Sequence, residues 1–138
     1  MGGSLSGVKV LDLGAYGVGP MVAGYMGMLG AEAIRVEPPG GDGLMYMGTP
    51  VSGVGAGYIS SNFNKKNIVL DLKSEEGREV GSRLVKWADV LIDNRRLGAL
   101  ERIGFGYEAV SKMNPRLVYV VSSTYGRQGP WSHYAGAD

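Results

Sequence analysis

The segment from Val8 to Gly30, VKVLDLGAYGVGPMVAGYMGMLG, constrains the fold more than any other part of the chain. It begins with an apolar, β-branched run that is typical of a strand buried on both faces. Gly14, Gly17 and Gly19 follow, and Pro20 stands where a helix would begin, because its restricted φ is already helical. The pattern predicts a strand, a glycine turn and a closely packed helix. Backbone N–H groups at the start of such a helix form an anion site.

The composition excludes several classes of protein. With 138 residues the chain can form one domain around a single core. Lysine and arginine (14) nearly balance aspartate and glutamate (13), which argues against nucleic acid as a partner. The absence of cysteine removes disulfides and thiolate chemistry. There is neither a basic leader nor an apolar run of about 18 residues, so we expect a soluble, cytoplasmic protein that does not enter membranes.

Strands and helices alternate along the rest of the chain. Four further strands are expected over Glu32–Glu37, Asn67–Leu72, Asp89–Asp93 and Leu117–Ser123. Helices are expected from the capping residue Ser74 onward and, in shorter form, over Gly98–Arg102 and Tyr107–Met113. This alternation predicts a doubly wound α/β fold with a parallel sheet.

One long stretch, from Gly40 to Asn62, shows no hydrophobic period and contains many glycines. A segment of this length without regular structure is uncommon in a compact domain and is usually functional or mobile. We therefore expect a loop of that kind here.

Charged side chains follow two of the expected strands. Arg95 and Arg96 come directly after the fourth strand, and Lys73 follows the third. Open α/β sheets bind ligands at the carboxyl ends of their strands, and guanidinium groups suit phosphate. We expect at least one of the two arginines to contact a ligand. By contrast, at least one of Lys65 and Lys66 is expected in a solvated turn.

A dinucleotide site is an alternative that the residues leave open. Glu37 lies about 20 residues after Gly17, where a ribose-binding acid belongs, although the G-x-G-x-x-G spacing is not met. A glycine turn with no ligand is a further alternative. His133 is the single histidine and stands in a loop, where a surface position is the more usual role. No cluster of ligand-type residues predicts a metal site.

Five linked motifs together resemble those of the family III CoA transferases, which include formyl-CoA:oxalate and carnitine-type enzymes and α-methylacyl-CoA racemases. The motifs are LSGVKVLDLG…GP, LGAEAIRVEPPGGD, NFNKKNIVLDLKSEEGRE, ADVLIDNRRLGALERIGFGYE and NPRLVYVVSSTYGRQGPW…AGAD. They span Leu5 to Asp138 in order. The resemblance implies a Rossmann-like, CoA-binding N-terminal lobe over residues 1–138, with the remainder of the family's fold absent. In full-length members two chains interlock as rings.

The resemblance also implies which residues contact coenzyme A, bound as an acyl-CoA substrate, with a carboxylic acid as acceptor and no metal. The implied contacts are Tyr16, Gly17, Val18, Leu70, Asp71, Leu72, Lys73, Asn94, Arg95, Arg96, Arg102, Ala135, Gly136, Ala137 and Asp138. Two positions depart from the family pattern. Gly17 stands where many transferases carry a glutamine, and Pro38 replaces a basic residue of some members.

The chemistry that the resemblance implies uses a nucleophilic aspartate that lies past Asp138. Asp138 itself matches an auxiliary acid, and Ala137 stands where racemases carry their catalytic histidine, which argues against racemase chemistry. We therefore expect no catalytic residue in this chain, and a fragment or subunit that works as a homodimer or with a longer family chain. A non-catalytic binding or assembly subunit and a nicotinamide-dependent dehydrogenase domain are the rival functions. An uncovered sheet face should also make the chain self-associate.

Overall fold

The computed structural model describes residues 2–136, in which short strands alternate with helices. The strands are β1 (Lys9–Asp12), β2 (Glu32–Glu37), β3 (Pro50–Val51), β4 (Val54–Gly55), β5 (Lys66–Val69), β6 (Val90–Asp93) and β7 (Val118–Val121). The α-helices are α1 (Val18–Met28), α2 (Ala56–Ser61), α3 (Glu75–Trp87) and α4 (Tyr107–Met113). Two 3₁₀ turns cover Gly43–Tyr46 and Glu101–Ile103.

Five strands form one parallel sheet in the order β5-β2-β1-β6-β7. The central strand is β1, whose Val10 lies opposite Ala33 of β2 and Val90 of β6. Because the chain builds outward from β1 first on one side and then on the other, the carboxyl ends of β1 and β6 flank a topological switch point. The doubly wound α/β fold expected from the sequence is confirmed.

Each face of the sheet buries its own core. On one face α1 packs over Val10, Ala33 and Ile92, with Ala23 supplied by the helix. On the other, a larger core collects apolar side chains beneath α3 and α4, including Leu11, Val36, Leu72, Val85, Leu91, Leu100, Phe105 and Val110. Val10 and Leu11 belong to opposite cores because successive side chains of a strand point to opposite faces.

Helix α3 begins where the sequence places its cap. The Ser74 hydroxyl accepts a hydrogen bond from the Gly77 amide at 3.0 Å, and two glutamates occupy the first turn, where the helix dipole favours negative charge. Its most buried line runs through Gly77, Gly81 and Val85. A Cβ on Gly81 would lie 2.7 Å from the Phe105 ring, so glycine lets the helix approach its neighbour closely.

The expectation of an unstructured loop over Gly40–Asn62 is wrong in part. This stretch contains a 3₁₀ turn, the antiparallel hairpin of β3 and β4, and the short helix α2. Asp42 caps the 3₁₀ turn by accepting from the Leu44 amide at 2.7 Å. Elements of two to six residues are too short to produce a readable hydrophobic period, which is why the sequence pattern misses them.

Apolar side chains remain exposed on one helix and one edge strand. Along α1 the outward-facing Val18, Tyr25 and Met28 are each more than half exposed, and Val118 of β7 is 56% exposed. Self-association through such surfaces stays a prediction. Among residues 2–136, none of the helices has both the length and the apolar character that a membrane crossing requires.

Candidate functional site

The glycine loop, residues 13–19, runs from the end of β1 into the first residues of α1. It meets the segment after β6 at the switch point. Asn94 binds this loop with both ends of its side-chain amide: Oδ1 accepts from the Ala15 N–H at 2.8 Å, and Nδ2 donates to the Ala15 carbonyl at 2.9 Å. A Cβ on Gly14 would lie 2.7 Å from Asn94 Oδ1, and one on Gly19 would lie 2.8 Å from it. Glycine is needed at both positions to admit the Asn94 side chain.

The amides in the first half of the loop are already bonded within the protein. The Gly14 N–H donates to Asp12 Oδ1 at 2.9 Å, and the Tyr16 N–H donates to Asp42 Oδ2 at 2.9 Å. The Ala15 N–H is held by Asn94, as described above. The expectation that the whole glycine turn presents open N–H groups is therefore wrong for these three residues.

The second half of the loop differs. Within residues 2–136, the amides of Gly17, Val18 and Gly19 have no side-chain or backbone acceptor, and they form the first turn of the 11-residue helix α1. This turn has neither a side-chain cap nor an acidic residue. Open N–H groups at the positive end of a helix attract anions, so the second half is the part that can bind one.

Tyr16 joins the two halves in a strained backbone conformation. Its φ is +57°, in the left-handed region that residues with a Cβ seldom adopt. Its side chain is 55% exposed, and its hydroxyl approaches Gly43. Strain of this kind persists only where surrounding contacts hold it and is common in binding loops.

The residue that follows Asn94 is an arginine whose side chain has no partner among the described residues. Arg95 follows Asn94 directly, and among the described residues its side chain makes no hydrogen bond or ion pair. Burial lowers the pKa of Arg95, although the nearby Asp93 carboxylate opposes that effect. Asp93 is buried, accepts from the Arg95 amide at 2.9 Å, and has its own pKa raised by burial. Arg96 is exposed. The arginine pair thus lies where the sequence predicts it.

A buried ionic network, which the sequence analysis missed, lies beneath the loop. Arg35 is 1% exposed and bonds three carboxylates: Glu37 through Nε at 2.8 Å, Asp12 through Nη1 at 3.1 Å, and Asp42 through Nη2 at 2.5 Å. Lys65 Nζ bonds Asp12 at 2.9 Å. Burial lowers the pKa of Arg35, but the three carboxylates outweigh it and the pKa is raised; for Lys65 burial prevails and its pKa is lowered.

The network reassigns two residues of the sequence analysis. Glu37, which the alternative dinucleotide site would use as its ribose-binding acid, is 3% exposed and accepts from the Tyr58 hydroxyl at 2.7 Å as well as from Arg35. Lys65 is buried, whereas its neighbour Lys66 is exposed and pairs with Glu32 on the surface. A charged residue inside an otherwise apolar strand, such as the Arg of AIRVE, was the signal that could have revealed the network.

Comparison with known proteins decides the family. The family model for CoA-transferase family III matches residues 5–138. The chain belongs to CoA-transferase family III. It is 40% identical over 137 residues to the acetyl-CoA:oxalate CoA-transferase of Acetobacter aceti, covering 99% of this chain and 35% of that one. It is 37% identical over 134 residues to the succinyl-CoA–L-malate CoA-transferase beta subunit of Chloroflexus aurantiacus, covering 96% and 33% respectively.

Solved structures agree with this placement. A CAIB/BAIF family protein from Brucella suis superposes with a TM-score of 0.93 at 38% identity, covering all of this chain and 38% of that one. This member of CoA-transferase family III thus spans roughly a third of the length of the relatives it matches.

Other residues implicated by the family resemblance also follow the carboxyl ends of strands but lie away from the glycine loop. The segment Leu70–Lys73 follows β5, which lies two strand spacings, or about 10 Å, from β1. Within it Leu72 is 6% exposed and belongs to the core, while Lys73 is exposed and Asp71 accepts from the Lys73 amide at 2.9 Å. Arg102 is exposed in the second 3₁₀ turn.

The C-terminal contacts implied by the family are described only in part. Ala135 and Gly136 are exposed, and Gly136 lies so close to Thr124 that a Cβ would overlap it. Ala137 and Asp138 lie outside the described residues. Within residues 2–136, no three histidine, cysteine, aspartate or glutamate side chains are grouped so that they could hold a metal ion.

Proposed function

We propose that this chain is the N-terminal, CoA-binding lobe of an acyl-CoA:carboxylate CoA transferase. The observation that carries the proposal is the second half of the glycine loop, where the amides of Gly17, Val18 and Gly19 have no acceptor, together with Arg95, which follows the loop-binding Asn94 and whose side chain has no partner among the described residues. Helix-terminal amides and a guanidinium fork are the groups that recognise phosphate. Their position at the switch point of a parallel sheet is where nucleotide-like ligands bind.

Further cations lie at the carboxyl ends of the strands, where they could bind a long, phosphorylated ligand. Arg96, Lys73 and Arg102 are exposed at the carboxyl ends of β6 and β5 and in the turn that follows β6. Coenzyme A carries a pyrophosphate and a separate 3′-phosphate, so it presents anionic groups to more than one of these positions. In this proposal the loop amides and Arg95 bind the pyrophosphate, and the other cations bind the remaining phosphate.

The chemistry of the proposed transferase is divided between this lobe and a segment past Asp138. An aspartate there attacks the acyl-CoA carbonyl and releases the CoA thiolate, leaving an acyl anhydride on the enzyme. The thiolate then attacks the aspartyl carbonyl of the anhydride, which frees the first acid and leaves a CoA thioester on the aspartate. The acceptor carboxylate displaces the CoA thiolate from this thioester to form a second anhydride, and the thiolate attacks the acceptor's carbonyl, which gives the new acyl-CoA and regenerates the aspartate. We expect the 138-residue chain to bind CoA without turning it over.

The proposal includes a partner. The Chloroflexus aurantiacus relative is named as a beta subunit, which supports a multi-subunit arrangement for that protein. We propose that this chain works in the cytoplasm either as a homodimer or with a longer family chain, and that in the second arrangement the longer chain supplies the nucleophile.

Isothermal titration of the chain with CoA, dephospho-CoA and NAD tests the ligand assignment. We expect CoA to bind, dephospho-CoA to bind more weakly because it lacks the 3′-phosphate, and NAD not to bind. Arg95→Met should weaken CoA binding about tenfold or more, because it removes a charged hydrogen-bond donor. Arg116→Met is the matched control, since Arg116 precedes β7 and therefore lies at the amino ends of the strands, opposite the proposed site. Binding of NAD in preference to CoA would overturn the proposal.

A further inference from the structure

The buried network makes contact with the glycine loop through two of its carboxylates. Asp12 accepts from Arg35 with Oδ2 and from the Gly14 amide with Oδ1. Asp42 accepts from both Arg35 and the Tyr16 amide with Oδ2. The third carboxylate, Glu37, bonds Arg35 without bonding the loop. One guanidinium therefore holds two of the three side-chain acceptors that anchor the first half of the loop, the third being Asn94, although it does not bond the loop itself.

The anchoring opposes a backbone preference. Tyr16 has a φ of +57°, which costs a residue with a Cβ about 1 kcal/mol or more relative to its ordinary conformations. The hydrogen bond from the Tyr16 amide to Asp42 stabilises this conformation, and Tyr16 is followed at once by Gly17, Val18 and Gly19. The backbone direction at Tyr16 therefore determines where the open amides of the second half point.

The network also sets the charge beneath the open amides. Its three carboxylates face two buried cations, Arg35 and Lys65, which leaves one excess negative charge. Losing Arg35 would double that excess directly below a site for an anion. A lysine at position 35 would preserve the charge, but its single ammonium lacks the planar fork that lets Arg35 bond three carboxylates in different directions.

We propose that Arg35 is a positioning residue for the anion site: acting through Asp12 and Asp42, it holds the first half of the loop so that the amides of Gly17, Val18 and Gly19 are pre-ordered for a phosphate. The inference rests on the proposed function for the identity of the ligand. The geometry that it assigns to the loop does not depend on which phosphorylated ligand binds.

Amide hydrogen exchange on the unliganded 138-residue chain tests the geometry. In Arg35→Lys and in Asp42→Asn, the Gly14 and Tyr16 amides should exchange at least about tenfold faster, while Leu11 and Leu91 in the core strands remain protected. Glu37→Gln is the matched control because it alters a carboxylate of the same network that does not touch the loop. It should leave the loop amides nearly as protected as in the unsubstituted chain. If Arg35→Lys does not fold, the Gly14 amide in Asp42→Asn against Glu37→Gln decides, because that amide bonds Asp12 and is linked to Asp42 only through Arg35.

Titration of the same variants with coenzyme A tests the consequence. Arg35→Lys and Asp42→Asn should weaken binding by about tenfold, and Glu37→Gln by less than about twofold. Unchanged exchange of the loop amides in both Arg35→Lys and Asp42→Asn would overturn the inference. An equal increase of that exchange in Glu37→Gln would overturn it as well. Faster loop exchange in a chain that does not bind coenzyme A at all would support the positioning role and refute the proposed function, so the two failures are distinguishable.

Discussion

The two halves of the glycine loop share one stretch of sequence but have opposite hydrogen-bonding states. Residues 14–16 donate their amides to side chains from β1, from the loop after β2 and from the segment after β6. Residues 17–19 donate to no other part of the described chain and begin α1. Glycine content alone therefore does not leave amides free for an anion. The bonds of residues 14–16 also hold the backbone that leads into residues 17–19.

The largest expected effect comes from breaking the support beneath the bound half. Lys65→Met should lower the free energy of unfolding by about 3–5 kcal/mol, because it leaves the three buried carboxylates of the network facing one buried cation, Arg35, instead of two. Lys66→Met is the control: it removes the adjacent lysine, whose surface pair with Glu32 is exposed and screened, and it should change stability little. Urea denaturation of both variants measures the difference. Equal midpoints would contradict a supporting role for Lys65.

A Cβ added at either end of the open half separates packing from binding. Gly19→Ala should destabilise the chain by about 1–3 kcal/mol, because the new methyl group would lie 2.8 Å from Asn94 Oδ1. Gly17→Ala meets no atom within 4 Å and should cost less than about 1 kcal/mol. Thermal unfolding of the pair provides the test. A larger loss for Gly17→Ala would show that the close approach of Asn94 does not matter.

Acid should weaken the network through Glu37. Burial raises the pKa of Glu37, but the amide of Asn67, the Tyr58 hydroxyl and the Arg35 guanidinium outweigh it, and the pKa lies below its ordinary value of 4.5. A carboxyl whose pKa is lowered by folding contributes stability above its unfolded pKa and loses it as pH falls through the folded value. Stability should therefore decline below about pH 4.5, and more shallowly in Glu37→Gln. Urea denaturation measures the free energy of unfolding of both chains against pH. If it declines equally with falling pH in the two chains, Glu37 makes no such contribution.

The smallest expected effect comes from Gly17→Gln, which places in the open half the residue that many family transferases carry. Gly17 has an ordinary φ of −95° and open space around its Cβ position, so the longer side chain should fit with a stability change of less than about 1 kcal/mol. The CoA dissociation constant should also change little, since the backbone amide is retained. A loss of binding in isothermal titration would show that the loop is more crowded than its unliganded geometry indicates.

Local patterns predict most of the fold. The strand Glu32–Glu37 and the helix Tyr107–Met113 have the bounds that the sequence predicts, and Ser74 caps α3 as expected. These features depend on neighbouring residues, such as a β-branched run, a hydroxyl followed by acids, or a proline after the last turn. The sequence pattern failed over Gly40–Asn62, where the elements are only two to six residues long and show no period of their own.

The candidate site was predictable in position but not in its internal bonding. Arg95 and Arg96 follow directly from the rule that ligands bind at the carboxyl ends of parallel strands. The pairing of Arg35 with Asp12 and Asp42 joins positions 23 and 7 residues apart, and no local rule selects it from other possible pairs. The sequence analysis offers Glu37 as a possible ligand-binding acid because its position after the glycine turn can be predicted, whereas its hydrogen-bond partners cannot.

The central place of β1 in the sheet has a consequence for how the chain acquires its final shape. Val10 pairs with Val90, and Ala15 is held by Asn94, so the loop needs contacts that span most of the sequence. Such contacts form slowly, since a long segment must close before they stabilise anything. During synthesis, the glycine turn emerges first but has no partner for Ala15 until residue 94 has left the ribosome. The glycine loop therefore reaches its final hydrogen-bonded state late in the life of the nascent chain, even though it is among the first parts to be made.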